Sequence, residues 1–123
     1  MKNLLLTVFL FLSILTACYA DYRRISAEEA YRMMSESSDF ILLDVRTLAE
    51  FRQRRIQGAI LIPDNEIRNR APRELPDKNR TIFVYCHAGR RSENAARILV
   101  ALGYVHVYDF GGIINWPYDT VGD

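Results

Sequence analysis

Ile82-Phe83-Val84-Tyr85-Cys86-His87-Ala88-Gly89-Arg90-Arg91-Ser92-Glu93-Asn94-Ala95-Ala96-Arg97-Ile98-Leu99-Val100-Ala101-Leu102 decides the reading of this chain. The first four residues are apolar or aromatic, the composition of a buried strand. The last eight place Ala95, Ala96, Leu99 and Leu102 on one helical face. Between them a short loop opens with a cysteine and carries a glycine and two arginines. Strand, tight loop, helix is the arrangement in which backbone N–H groups turn inward and a helix N-terminus faces an anion. Cysteines near helix N-termini and arginines ionise more readily than free thiols. The stretch therefore predicts a reactive thiolate beside an anion site. Gly89 is expected to supply a backbone conformation that most residues resist, and Ser92 to act as the N-cap of the helix.

Outward from this stretch the pattern alternates. A helix is expected over 26–35, opened by the capping-box sequence Ser26-Ala27-Glu28-Glu29, and a second over 47–55, opened by Thr47-Leu48-Ala49-Glu50. Strands are expected over 40–45, over 59–62 before Pro63, over 81–85 and over 105–108. A short helix is expected over 65–70 and a loop over 72–79, and Gly103 closes the helix that follows Cys86. Continuous apolar strands alternating with helices predict an α/β domain, a mainly parallel sheet covered on both faces. No repeat, low-complexity tract or second domain interrupts residues 21–123.

Residues 1–20 read differently. Met1-Lys2-Asn3 is a short positive start, and residues 4–15 form an uncharged apolar run. That run is short for a bilayer span and suits a signal-peptide core. Leu15-Thr16-Ala17-Cys18 resembles a bacterial lipobox, which would leave Cys18 lipidated after cleavage behind Ala17. Cleavage after Ala20 would instead release a soluble protein. Either outcome predicts export to the periplasm, with membrane attachment only through Cys18.

Lys2 is the only charged residue of that leader, so the remainder carries equal numbers of basic and acidic residues. Such a balance gives no electrostatic footprint for nucleic acid. The cluster Arg52, Arg54 and Arg55 reads as a solvated helix face. Beyond Cys18, Cys86 is the sole cysteine, so no disulfide can form within the domain, and a lone exported cysteine is a candidate free thiol. With only His87 and His106 beside it, no zinc site is expected.

The loop Cys86-His87-Ala88-Gly89-Arg90-Arg91-Ser92 resembles the C-x-x-G-x-R-S active-site loop of rhodaneses, the thiosulfate sulfurtransferases. Leu42-Leu43-Asp44-Val45-Arg46 with Glu50-Phe51 is similar to the family's D-V-R…E-F/Y segment. Ile56-Gln57-Gly58-Ala59-Ile60-Leu61-Ile62-Pro63 is similar to H-I-x-G-A-x-N-I-P, with Arg55 in place of the histidine. Phe110-Gly111-Gly112-Ile113-Ile114-Asn115-Trp116 is similar to the closing G-G-x-x-x-W. The four segments run in order over nearly the whole chain after the leader, which looks most like the periplasmic phage-shock type of rhodanese.

The resemblance implies a single rhodanese-like domain over 21–123 that needs no cofactor and no metal. It implies that Cys86 takes a sulfur from thiosulfate as a persulfide and passes it to cyanide or a thiol. Backbone N–H groups from His87, Ala88, Gly89, Arg90, Arg91 and Ser92 would bind the substrate's charge. Arg91 matches the family's loop arginine and is expected in the anion pocket ahead of Arg90. Asp44 and Arg46 are expected as a pair supporting the loop, and Phe110 and Trp116 as packing for the C-terminal segment. A reducing partner would keep Cys86 free outside the cytoplasm. The short tail after Trp116 leaves little chain to shape a pocket wall. Two other readings stand beside this one. A cysteine phosphatase or arsenate reductase would need C-x₅-R, but here that arginine position holds Ser92. A module that stores sulfur or binds an envelope partner would carry the same loop without turnover.

Overall fold

Phe40–Asp44 (β2) and Thr81–Cys86 (β4) pair in parallel, residue for residue, from Phe40 with Thr81 to Asp44 with Tyr85. In the computed structural model, which describes residues 21–123, they form the centre of a five-stranded sheet. Ile60–Leu61 (β3) extends the sheet beyond β2, Val107–Gly112 (β5) lies against β4, and Arg23–Arg24 (β1) lies outermost beside β5. The order is β1-β5-β4-β2-β3, and every pairing is parallel. The leader expected over 1–20 lies outside the described residues.

Each central strand feeds two cores, because alternate side chains leave on opposite faces. Ile82, Val84 and Cys86 of β4 join Ile41 and Leu43 of β2 beneath helices Ile67–Glu74 (α3) and Arg90–Ala101 (α4). Phe83 and Tyr85 join Leu42, Phe110 and Trp116 beneath helix Ala27–Glu36 (α1) and the C-terminal segment. Ala95, Ala96 and Leu99 are the buried face of α4, and Leu102 packs partly against the same core. The expected α/β architecture with helices on both faces is therefore present.

Helix ends follow their local chemistry. Thr47 opens Leu48–Gln53 (α2) with a reciprocal capping box: its side chain accepts from the Glu50 N–H, and the Glu50 carboxylate accepts from the Thr47 N–H. At α1 the Ser26 side chain accepts from the Glu29 N–H. Gly103 follows α4 with φ +99°, and the bonds from Gly103 N–H to Val100 O and from Tyr104 N–H to Leu99 O complete a Schellman motif.

Four expectations are corrected. The loop expected over 72–79 begins as helix, because α3 runs to Glu74 with Pro72 inside it and is preceded by a 3₁₀ turn, Asp64–Glu66. Pro72 removes one amide donor, but the Leu75 N–H still bonds Ala71 O, and the buried Tyr104 hydroxyl lies 2.9 Å from Ala71 O and 2.6 Å from Leu75 O. A distant side chain thus donates to the end of a helix that carries a proline inside it. The last strand, expected over 105–108, extends through Asp109-Phe110-Gly111-Gly112, since those residues pair with β4 across a register shift.

Of the three arginines expected on a solvated helix face, Arg52 and Arg54 are exposed as expected, but Arg54 and Arg55 lie beyond the end of α2 and Arg55 is partly buried. Arg55 pairs antiparallel with Val121 and meets the Asp123 carboxylate at 2.9 Å, while Arg54 Nε donates to Thr120 Oγ1. The tail they fasten does shape a wall: Tyr118 stacks on Tyr31 at 3.9 Å between centroids and helps line a surface groove of about 650 Å³.

Candidate active site

β4 delivers Cys86 to the carboxyl end of the sheet, and the chain then turns directly into α4. The turn is made by Gly89, which takes φ +111° and is itself the N-cap. An L side chain resists that conformation. Ser92 is therefore not the cap expected from the sequence. It is the third residue of the helix, fully buried, and it points back into the loop.

Cys86 is 1% exposed and forms the floor of the loop. The Gly89 N–H donates to its Sγ at 3.0 Å, and the Ser92 hydroxyl lies 3.5 Å from the same sulfur. Ser92 Oγ also lies 3.1 Å from Gly89 O and 3.4 Å from Gly111 O. The N–H groups of Arg90, Arg91 and Ser92 open α4 and have no intrahelical acceptors. The helix dipole adds partial positive charge at the same place. His87, Ala88 and Arg90 are exposed around this floor.

Arg91 turns sideways. Its guanidinium makes a two-pronged bond with Glu50, Nη1 to Oε1 at 2.7 Å and Nη2 to Oε2 at 2.9 Å. Arg91 thereby holds the Glu50 carboxyl down to about 2, aided by the Thr47 bonds and opposed by burial. The bond fastens the first turn of α4 to α2.

Asp44 and Arg46 are also brought together, both buried, with Arg46 Nη2 2.7 Å and Nε 3.0 Å from the Asp44 carboxylate. Arg46 Nη2 donates as well to the carbonyl of Arg54, just beyond α2. The pair reaches the cysteine loop through α2 and Glu50, not by direct contact. Tyr85 lies buried beside this pair. Its hydroxyl accepts from the Ile56 N–H at 3.1 Å, and burial followed by the Asp44 charge raises its pKa.

Sequence reasoning missed three contributors. Glu50 was visible as a capping-box residue, but its second use, on Arg91, spans 41 positions of sequence. Arg24 from β1 reaches the loop too: its Nη2 lies 3.7 Å from where a Gly89 Cβ would stand, and its Nη1 lies 3.9 Å from Glu93. Gly112 supplies the close approach. A Cβ there would stand 2.0 Å from the His87 carbonyl oxygen, so the loop rests on bare backbone. The groove beside Tyr118 lies at the other face of the sheet and includes none of these loop residues.

A parallel sheet with a buried thiol in a strand–loop–helix turn at its carboxyl edge defines a class. The chain belongs to the rhodanese-like domain family, whose model matches residues 26–117. It is 46% identical over 71 residues to the thiosulfate sulfurtransferase PspE of Escherichia coli, covering 58% of this chain and 68% of that protein. It is 37% identical over 93 residues to a sulfurtransferase of Allochromatium vinosum, covering 75% of this chain and 85% of the relative. Among solved structures, a rhodanese with anions from E. coli superimposes with a TM-score of 0.63 at 41% identity, covering 68% of this chain and 98% of the other.

Proposed function

We propose that the protein is a thiosulfate sulfurtransferase that works through a persulfide on Cys86. The observation that carries this reading is the 3.0 Å bond from the Gly89 N–H to Cys86 Sγ at the opening of α4. An amide already aimed at the sulfur is in place for the charge that develops there and needs no rearrangement during reaction. The relatives named thiosulfate sulfurtransferase and sulfurtransferase support the same chemistry.

The Cys86 thiolate attacks the outer sulfur of thiosulfate. The sulfur–sulfur bond of the donor breaks, its electron pair leaves with sulfite, and Cys86 holds the outer sulfur as a persulfide anion. The new charge lies beside the free amides that begin α4, with Ser92 near the inner sulfur. Cyanide or a small thiol then attacks the outer sulfur, and the pair of the Cys86–sulfur bond returns to Cys86 as thiolate. Such covalent catalysis gives ping-pong kinetics. Arg91, held by Glu50, fixes the start of α4, while Arg90 and Arg24 add positive charge around the loop. The leader over 1–20 directs the protein to the periplasm, where a thiol-reducing partner keeps Cys86 available.

Intact-protein mass spectrometry after thiosulfate treatment tests the reading. The expected result is gain of one sulfur atom on the wild type, removed by cyanide with release of thiocyanate, and no gain on Cys86→Ser. Wild-type protein that gains no sulfur, or a folded Cys86→Ser that keeps turnover, overturns it.

A further inference from the structure

Asp109 is a buried acid that the sulfur chemistry does not use. It lies on β5 opposite Val84, two residues before Cys86 on β4, and has 0% exposure. One carboxylate oxygen accepts from the Gly111 N–H at 2.9 Å, and the other has no partner among the described residues. A fully buried carboxylate with an empty oxygen is destabilising. An apolar residue would suit the strand better unless the remaining bond does something.

That bond closes a turn of the aspartate side chain onto the backbone two residues ahead. Gly111, the residue it holds, has φ +83° and sits where the β4–β5 register shifts, so that Cys86 faces Gly112. The held residue and the peptide that follows it meet the cysteine loop at three points. Gly111 O lies 3.4 Å from Ser92 Oγ, Gly111 Cα lies 3.7 Å from where a Gly89 Cβ would stand, and the adjoining Gly112 backbone lies against His87. Ser92 has one hydroxyl proton and three neighbours that accept it: Gly89 O, Gly111 O and, once ionised, the Cys86 sulfur. Where Gly111 O stands decides how that proton is shared.

We propose that Asp109 is a positioning residue for sulfur transfer, which sets the Gly111 peptide and through it the Ser92 hydroxyl that faces Cys86. The proposal rests on the sulfurtransferase reading above. Asp109 touches no reacting atom, so its effect falls on the rate of persulfide formation and not on binding of the donor.

The test compares Asp109→Val, Asp109→Thr and Asp109→Asn, alone and combined with Ser92→Ala. Valine and threonine suit a buried strand, and threonine differs from valine in offering a weaker version of the same turn. Single-turnover sulfite release should fall by about 10–100-fold in Asp109→Val, the scale of a small misplacement at a reacting centre. The KM for thiosulfate should change little. Asp109→Thr should lose less, and Asp109→Asn, which keeps the acceptor, should restore most of the rate. On a Ser92→Ala background Asp109→Val should add little further loss, because both changes act on one hydroxyl. Amide exchange at Gly111 should be faster in the valine variant and not in the asparagine variant.

Equal rates in the valine and threonine variants overturn the proposal, as do losses that multiply with Ser92→Ala or a loss confined to KM. If the valine variant does not fold, the order of asparagine above threonine decides instead, and threonine equal to or faster than asparagine overturns it. Wild-type protein that releases no sulfite from thiosulfate refutes the sulfurtransferase reading itself. Wild-type release with indifferent Asp109 variants refutes the positioning role alone.

Discussion

Replacing Glu50 by glutamine removes the charge that holds Arg91 and leaves a side chain of the same shape. The magnitude follows from the carboxyl, whose pKa is lowered from 4.5 to about 2, with the Arg91 bond the largest cause. Fully expressed, a drop of that size is worth roughly 3 kcal/mol between the charged and neutral forms. Glu50 and Arg91 are 29% and 32% exposed, so solvent screens the pair and about 1–2 kcal/mol remains. In a domain of this size that corresponds to a melting point lower by roughly 5–15 °C.

The sign in pH is fixed by the direction of the shift. A carboxyl held down in the folded state contributes fully above pH 4.5, progressively less as pH falls from 4.5 towards 2, and nothing below. Thermal unfolding of wild type and Glu50→Gln at pH 7 and at steps down to pH 2 is the assay. The two curves should be apart at neutral pH and converge in acid. Because Glu50 acts on the loop through Arg91, kcat/KM for thiosulfate should fall in Glu50→Gln and in Arg91→Ala, and the double variant should be little worse than Arg91→Ala. A separation that persists at pH 2, or activity losses that multiply, would refute the reasoning.

Other outcomes follow from single contacts. Gly112→Ala should displace the cysteine loop, because its Cβ would stand 2.0 Å from His87 O. A folded Gly112→Ala with wild-type turnover would show that the loop does not need this approach. Tyr104→Phe leaves carbonyls at the end of α3 without their hydroxyl and should lower stability by about 1–2 kcal/mol, measured by urea unfolding, with turnover unchanged at 25 °C. Mass analysis of protein from its native envelope should show loss of Met1 to Ala17 at least, with a lipid adduct on Cys18 marking the anchored form. An intact Met1 would refute export by this route.

The central strand, the loop and α4 were legible because every cue there is local. An apolar run ends at Cys86, Gly89 turns the chain, and Ala95, Ala96 and Leu99 repeat on one helical face. What escaped is long-range. α3 persists past the start of the expected loop because Tyr104, 33 residues beyond Ala71, serves its carbonyls. β5 looked shorter than it is because aspartate and glycine are poor strand formers, and only pairing with β4 makes Asp109, Gly111 and Gly112 strand. The resemblance pointed to Arg91, ahead of Arg90, in an anion pocket, but a matched motif position carries no side-chain direction. Glu50, on another helix, draws Arg91 aside. Ser92 lies at a sensible distance for a cap, and only the left-handed turn at Gly89 moves the helix start three residues earlier.

The strand order also sets a schedule. β1, the first described strand, lies outermost against β5, the last described strand, so it has no neighbour in the sheet until β5 has been made. During synthesis β2, β3 and β4 can pair among themselves, but the open edge of β4 waits for β5. Until then Gly112 is not in place against the His87 carbonyl, and the sulfur-bearing turn lacks its backing. A ribosome-bound chain that has not yet made β5 therefore carries its thiol without the enclosure of the finished protein. The nucleophile is assembled last, by the same closing step that completes the sheet.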